Sequence, residues 1–191
     1  MPRRIRTFVA VELDDATRRA ATDLIEEFRG ISADVKWVES ENLHLTLKFL
    51  GEVEEREIHR VCQIVERAVA EIAAFDLEVR GVGAFPNPNR PRTIWLGGGR
   101  GSEELGNLAA RIESALAAIG YPKESRRFSP HLTIGRVRNG GPAIAPLAEL
   151  IHQYADRRIG TVPVSEVTVF SSVLGRSGPT YDALARGVLN G

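Results

Sequence analysis

His44-Leu45-Thr46-Leu47 returns, nearly letter for letter, as His131-Leu132-Thr133-Ile134. Each copy alternates polar and apolar residues, and a strand sends successive side chains to opposite faces. His44 and Thr46 therefore share one face, with Leu45, Leu47 and Phe49 expected on the other. His131 and Thr133 likewise share a face, backed by Leu132 and Ile134. An imidazole and a hydroxyl stand side by side twice, in a chain with just four histidines.

Outward from the first copy, Arg6–Leu13 has strand composition, and Asp14-Asp15 caps a helix that runs to about Phe28 and stops near Gly30. A short strand covers Val35–Val38. The first motif strand is expected to end at Gly51. Ile58, Val61, Val65, Ala68, Val69 and Ile72 keep helical spacing, which predicts a helix over about 54–73. A strand over Phe75–Val82 and a loop over Gly83–Pro91 follow. Then the order restarts. Arg92-Thr93-Ile94-Trp95-Leu96 echoes Arg6-Thr7-Phe8-Val9-Ala10, Ser102 is placed to cap a helix through Ile119, and the second motif strand runs to about Val137. A helix introduced by Pro142 and Pro146, then three strands near 159–164, 167–172 and 181–188, complete the chain. Arg92 lies 86 positions after Arg6 and His131 lies 87 after His44, so one offset superposes the two halves. The expectation is one bilobal domain over 1–191, built by internal duplication of halves near 5–82 and 92–188. Its fold class is α+β, with two pseudo-twofold-related lobes. Each lobe is an antiparallel sheet with helices on its outer face, and the cleft lies between them.

Bulk properties narrow the function. Of 191 residues, 25 are Lys or Arg and 25 Asp or Glu, a formal net charge of zero. Summed charge therefore gives no electrostatic argument for nucleic acid. Lys occurs just at positions 36, 48 and 123. The single cysteine, Cys62, excludes an internal disulfide and a Cys-based zinc site and reads as a small core residue. No apolar run is long enough to span a membrane, and the basic Met1–Arg4 start lacks a following signal-peptide apolar region. The expected location is the cytoplasm.

Two facing imidazoles suit concerted proton transfer, because histidine holds both protonation states near neutral pH. Each Thr hydroxyl can donate to an oxyanion between them. A phosphodiester, with two non-bridging oxygens, fits that arrangement better than a carbonyl. No Ser or Cys sits in a nucleophile motif. The histidines are not clustered with carboxylates as a metal site requires, and His59 and His152 fall in helices. The expected chemistry is acid–base catalysis with no metal and no cofactor.

HLTLKFLG, SPHLTIGR, the opening RTFVAVEL and the closing FSSVLGRSGPTY resemble the two-histidine phosphoesterases, in particular the RNA 2′,3′-cyclic phosphodiesterase or 2′–5′ RNA ligase branch. The resemblance spans Arg6 to about Tyr181. It implies metal-independent hydrolysis of an RNA or nucleoside 2′,3′-cyclic phosphate to a 2′-phosphomonoester. It also implies His44 and His131 as the catalytic pair, Thr46 and Thr133 as phosphate ligands, and Arg136 as a further phosphate-binding group. By the same analogy His131 is the base and His44 the acid. A regular strand puts Arg136, five residues past His131, on the opposite face, so it reaches the phosphate only if the strand bends at Gly135. Phe8 and Phe128 are candidate base-stacking platforms. The expected partners are RNA 3′ ends bearing 2′,3′-cyclic phosphate, or small cyclic nucleotides, bound by a monomer and not at a membrane. Two rivals are a 2′–5′ RNA ligase acting on tRNA halves and an RNA-end-binding module without turnover.

Overall fold

A computed structural model describes residues 3–125, 127–176 and 178–191. The chain forms β1 (Arg4–Glu12), α1 (Asp15–Arg29), β2 (Val35–Trp37), a 3₁₀ turn (Ser40–Asn42), β3 (His44–Glu54), α2 (Glu55–Val69), β4 (Phe75–Phe85), β5 (Thr93–Gly98), α3 (Ser102–Ala117), β6 (His131–Val137), α4 (Ile144–Gln153), β7 (Arg158–Val164), β8 (Glu166–Leu174) and β9 (Pro179–Val188). The Asp14 carboxylate accepts from the amides of Ala16 and Thr17 and so caps α1. Ser102 is not the cap expected of it. Gly101, at φ +89°, holds that position, and Ser102 is the first helical residue.

All nine strands join one curled antiparallel sheet, in the order β7-β4-β5-β6-β3-β1-β8-β9, with β2 added along β6. Its centre is the seam between the two motif strands, which meet at the Leu45–Leu132 pair. The β3 half is backed by α2 and α3, the β6 half by α1 and α4. Each half therefore takes one helix from each half of the chain. Strands are exchanged as well: β4, early in sequence, pairs with β5 and β7, while β8 and β9 lie beyond β1.

The main core fills the space between sheet and helices, with Leu45, Leu47, Leu132 and Ile134 in it. Each fully buried aliphatic side chain contributes on the order of 1.5–3 kcal/mol. Cys62 is buried there as expected. Phe8, Ala10 and Phe170, with Tyr181 against them, form a separate small cluster. Thr7 to Val11 are consecutively buried because β1 is covered on both faces.

Bulges set the remaining details. Ala10 pairs with Thr46 and Val9 with Lys48, leaving Leu47 as an extra residue in β3. A second extra residue, Leu50, precedes Gly51, whose φ of +73° carries β3 on to Glu54. The strand thus does not end at Gly51 as its glycine suggested. β4 also runs past Val82 to Phe85, into the segment expected to be loop. The echo of Arg6–Ala10 in Arg92–Leu96 is shifted by one residue from the true equivalence. Thr46 lies opposite Ala10 and Thr133 opposite Trp95, so Ala10 corresponds to Trp95. A one-residue slip exchanges the faces of a strand. That is why Ile94 is in the main core and Phe8, its partner in the letter alignment, is not.

Candidate active site

The antiparallel Leu45–Leu132 pair, continued one residue each way, sets His44 opposite Thr133 and Thr46 opposite His131. Directly opposed side chains in such a pair lie about 5 Å apart. The four motif residues are thus collected on the face turned away from the main core. All four are half-buried.

Both imidazoles are oriented by the same contact. His44 Nδ1 lies 2.7 Å from the Asn42 carbonyl and His131 Nδ1 lies 2.8 Å from the Ser129 carbonyl. A carbonyl oxygen accepts and never donates, so Nδ1 carries the hydrogen in both rings. The neutral ring then has its lone pair on Nε2, and the charged ring donates from that same atom. A short chain of hydrogen bonds holds Asn42. Arg18 donates from Nη1 to the Ser40 carbonyl at 2.6 Å and from Nη2 to the Leu13 carbonyl at 3.2 Å, Thr22 Oγ1 bonds Ser40 Oγ at 3.0 Å, and Asn42 Nδ2 donates to the Pro179 carbonyl at 3.1 Å.

The two rings differ in surroundings. His44 packs on Phe8 at 4.9 Å and edge-on to Tyr181 at 5.2 Å. Burial lowers the His44 pKa, against the Asn42 hydrogen bond that raises it and with the Arg18 charge that lowers it further. His131 meets the Phe85 ring edge-on at 5.3 Å.

Arg136 reaches the His131 face through the bend that regular alternation could not supply. Trp95 pairs with Thr133 and Ile94 with Gly135, so Ile134 is an extra residue and parity flips after it. Gly135 is required there: a Cβ would stand 2.8 Å from the Trp37 ring. The same bulge in β3 corrects the expected placement of Phe49. Rather than joining Leu45 and Leu47 in the core, Phe49 is 43% exposed and stacks on Phe8, the ring that backs His44. Arg6 lies over the Phe49 ring at 5.2 Å. Burial pushes the Tyr181 phenol up, opposed by the charges of Arg136 and Arg6. Lys36 pairs with Arg136 across β2 and β6. Two cationic side chains, Lys36 and Arg136, are therefore neighbours here although the chain sums to zero.

The stacking candidates fall elsewhere than expected. Phe8 is 1% exposed and already packed by Phe49, Phe170 and Tyr181, so it is the floor of the site and offers no face to a base. Phe128 packs against the main core. The accessible rings beside the histidines are Phe49 and Phe85, with Tyr181 half-buried. Their side could have been read from sequence had the bulges been known. The role of Lys48 left no mark in the sequence. It is 3% exposed and bonds the carboxylate of Glu113 at 3.1 Å and the Pro122 carbonyl at 2.7 Å, with Glu124 at 3.5 Å. It thereby fastens the segment leading to Ser129 and His131. His59 and His152 are exposed on α2 and α4, away from the motif strands.

Paired His-x-Thr arms at the seam of one curled antiparallel sheet are the architecture of the two-histidine phosphoesterases. The chain belongs to the 2′–5′ RNA ligase superfamily, whose family profile matches residues 14–176. It is 37% identical over 182 residues to an RNA 2′,3′-cyclic phosphodiesterase of Archaeoglobus fulgidus, covering 94% of this chain and 98% of that protein. A crystal structure of a Thermus thermophilus protein superposes with a TM-score of 0.82 at 28% identity, over 98% of this chain and 99% of the other. Escherichia coli LigT complexed with 3′-AMP superposes with a TM-score of 0.75 at 25% identity, over 98% and 99%.

Proposed function

We propose that this protein is a hydrolase of phosphodiester bonds, an RNA 2′,3′-cyclic phosphodiesterase that opens the ring to a 2′-phosphomonoester by two-histidine acid–base catalysis. The observation that carries the reading is the matched pair of imidazoles, each held by Nδ1 with no Nε2 hydrogen bond among the described residues, beside two Thr hydroxyls. The relatives' shared name and the 3′-AMP complex of a similar structure favour RNA or nucleotide substrates.

In the reaction, His131 Nε2 removes a proton from water, whose oxygen attacks phosphorus in line with O3′. The P–O3′ bond breaks, and O3′ takes the proton held on His44 Nε2. Thr46 and Thr133 donate to the non-bridging oxygens, and Arg136 neutralises the charge gathered there. Burial favours neutral His44. The bound anionic phosphate opposes that desolvation and stabilises the proton the acid must carry. No metal takes part in this scheme. Among the described residues no three His, Cys, Asp or Glu side chains stand together as metal ligands, and no helix is long and apolar enough to cross a membrane.

Turnover of a 2′,3′-cyclic nucleotide with and without a strong chelator tests the reading. Activity that survives chelation supports it, whereas loss restored by one divalent ion moves the site to the metal-assisted class. Binding without turnover would leave an RNA-end-binding module. A joined 2′–5′ product from tRNA halves, with no hydrolysis, would make the protein a ligase.

A further inference from the structure

A recess opens away from the paired histidines, where the start of β5 meets the end of β6. It measures about 620 Å³ and is lined by Arg90, Arg92, Arg138, Asn139, Gly141 and Ile144, among others. All three arginines are exposed, and none forms an ion pair among the described residues. The nearby carboxylate of Asp34 is engaged by Asn139 Nδ2 at 2.5 Å. The recess also borders the start of α4, whose first turn has no side-chain cap and presents the positive end of the helix dipole. Three unpaired guanidiniums around an open recess favour a polyanion, since each can make bidentate bonds to phosphate.

We propose that this recess is a subsite for backbone phosphates of the RNA strand that leads away from the reacting end. The inference rests on the cyclic phosphodiesterase reading above. Arg138 follows Arg136 by two residues on β6 and its continuation, and Lys36 stands across from Arg136. The cationic side chains thus form a path from the proposed phosphate site to the recess. Arg138 is seven residues from His131, which at ~3.3 Å per residue places it roughly 20 Å along the strand. A mononucleoside 2′,3′-cyclic phosphate has a single phosphate, taken up at the histidines, and so has none to place in the recess; an oligonucleotide has. The substrate class that uses both ends of this surface is an RNA chain with a cyclic phosphate terminus.

The test compares wild type with an Arg90→Gln/Arg92→Gln/Arg138→Gln variant, and with Arg138→Gln alone should the triple variant fail to fold by thermal melting. Turnover is measured on a cyclic-phosphate-ended oligoribonucleotide and on a mononucleoside 2′,3′-cyclic phosphate. Binding of a 2′-phosphate-ended oligoribonucleotide is followed across salt concentrations. The triple variant should raise KM for the oligonucleotide about 10-fold or more and leave both constants for the mononucleotide unchanged. The slope of log K against log salt should shrink by about 0.7 for each phosphate that the variant no longer neutralises. Equal loss on both substrates, or unchanged oligonucleotide binding and turnover, overturns the subsite. Wild type that binds the oligonucleotide with this arginine-dependent slope but hydrolyses neither substrate refutes the enzymatic reading and leaves the subsite standing. Wild type that hydrolyses both, with variants indistinguishable on the oligonucleotide, does the reverse.

Discussion

The two motif strands are copies in backbone and opposites in chemistry. Each carries His-x-Thr, an Nδ1 hydrogen bond to the carbonyl two residues before the histidine, and one extra residue three positions after it. The second residue after each bulge then turns to the site face. In β3 that residue is Phe49, stacked on the Phe8 floor, and in β6 it is Arg136. The bulged positions are also held differently. Lys48 is tied to Glu113 and Glu124, whereas Gly135 leaves room for Trp37. The repeated strand geometry thus carries an apolar wall on one side and a cationic wall on the other. That division suits a nucleotide, whose base is apolar on its faces and whose phosphate is charged.

The sharpest way to break the comparison is at the histidines themselves. His44→Ala and His131→Ala should each lower kcat by about 100- to 10,000-fold. The rate should be bell-shaped in pH, with limbs that belong to the coupled pair. A substrate whose O3′ is replaced by a leaving group that needs no proton separates the roles. It should rescue His44→Ala and leave His131→Ala inactive; rescue of His131→Ala alone reverses the assignment.

The supports of the two bulges come next. Lys48→Met should destabilise the protein by about 2–3 kcal/mol in denaturant titration. That is somewhat less than for a fully buried pair, because Glu113 and Glu124 keep access to water. Desolvation raises the Glu113 pKa, but the Glu124 amide and Lys48 outweigh it and hold the carboxyl low. A change in melting no larger than that of an exposed Lys substitution would show that the ion pairs do not hold this bulge.

The two walls should fail differently. If Arg136 binds phosphate as proposed, Arg136→Ala should lower kcat/KM by about 10- to 100-fold through loss of a charge-assisted hydrogen bond, with partial recovery in Arg136→Lys. Phe49→Ala should raise KM by about 10-fold, the scale of one base–aromatic stack, with little change in kcat. Matching losses in kcat from both variants would contradict the apolar and cationic assignment.

The smallest effect is on stability. The folded-state pKa of His44 lies below its unfolded value of about 6.5, mainly through burial. The unfolded chain therefore binds more protons just below pH 6.5. The contribution of neutral His44 is present in full above that pH and is lost as pH falls toward the folded pKa. Denaturant midpoints should drop over this window, and His44→Gln should flatten the drop. An unchanged pH dependence in that variant would remove the burial argument.

By itself the sequence determined the strand and helix order, the paired His-x-Thr faces, the Asp14 cap and the burial of Cys62. All of these follow from local periodicity or from one side chain meeting its own backbone. The tertiary structure decided which face Phe49 and Arg136 occupy, because a single extra residue inverts parity and alternation carries no mark of it. It also decided that β4 crosses to the β6 half, that Lys48 is buried against Glu113, and that Phe8 is floor rather than platform. Those outcomes depend on strands and helices far apart in the chain. Net charge shows the limit most plainly: a sum of zero over 191 residues concealed the cationic wall, since folding, not composition, determines which charges become neighbours.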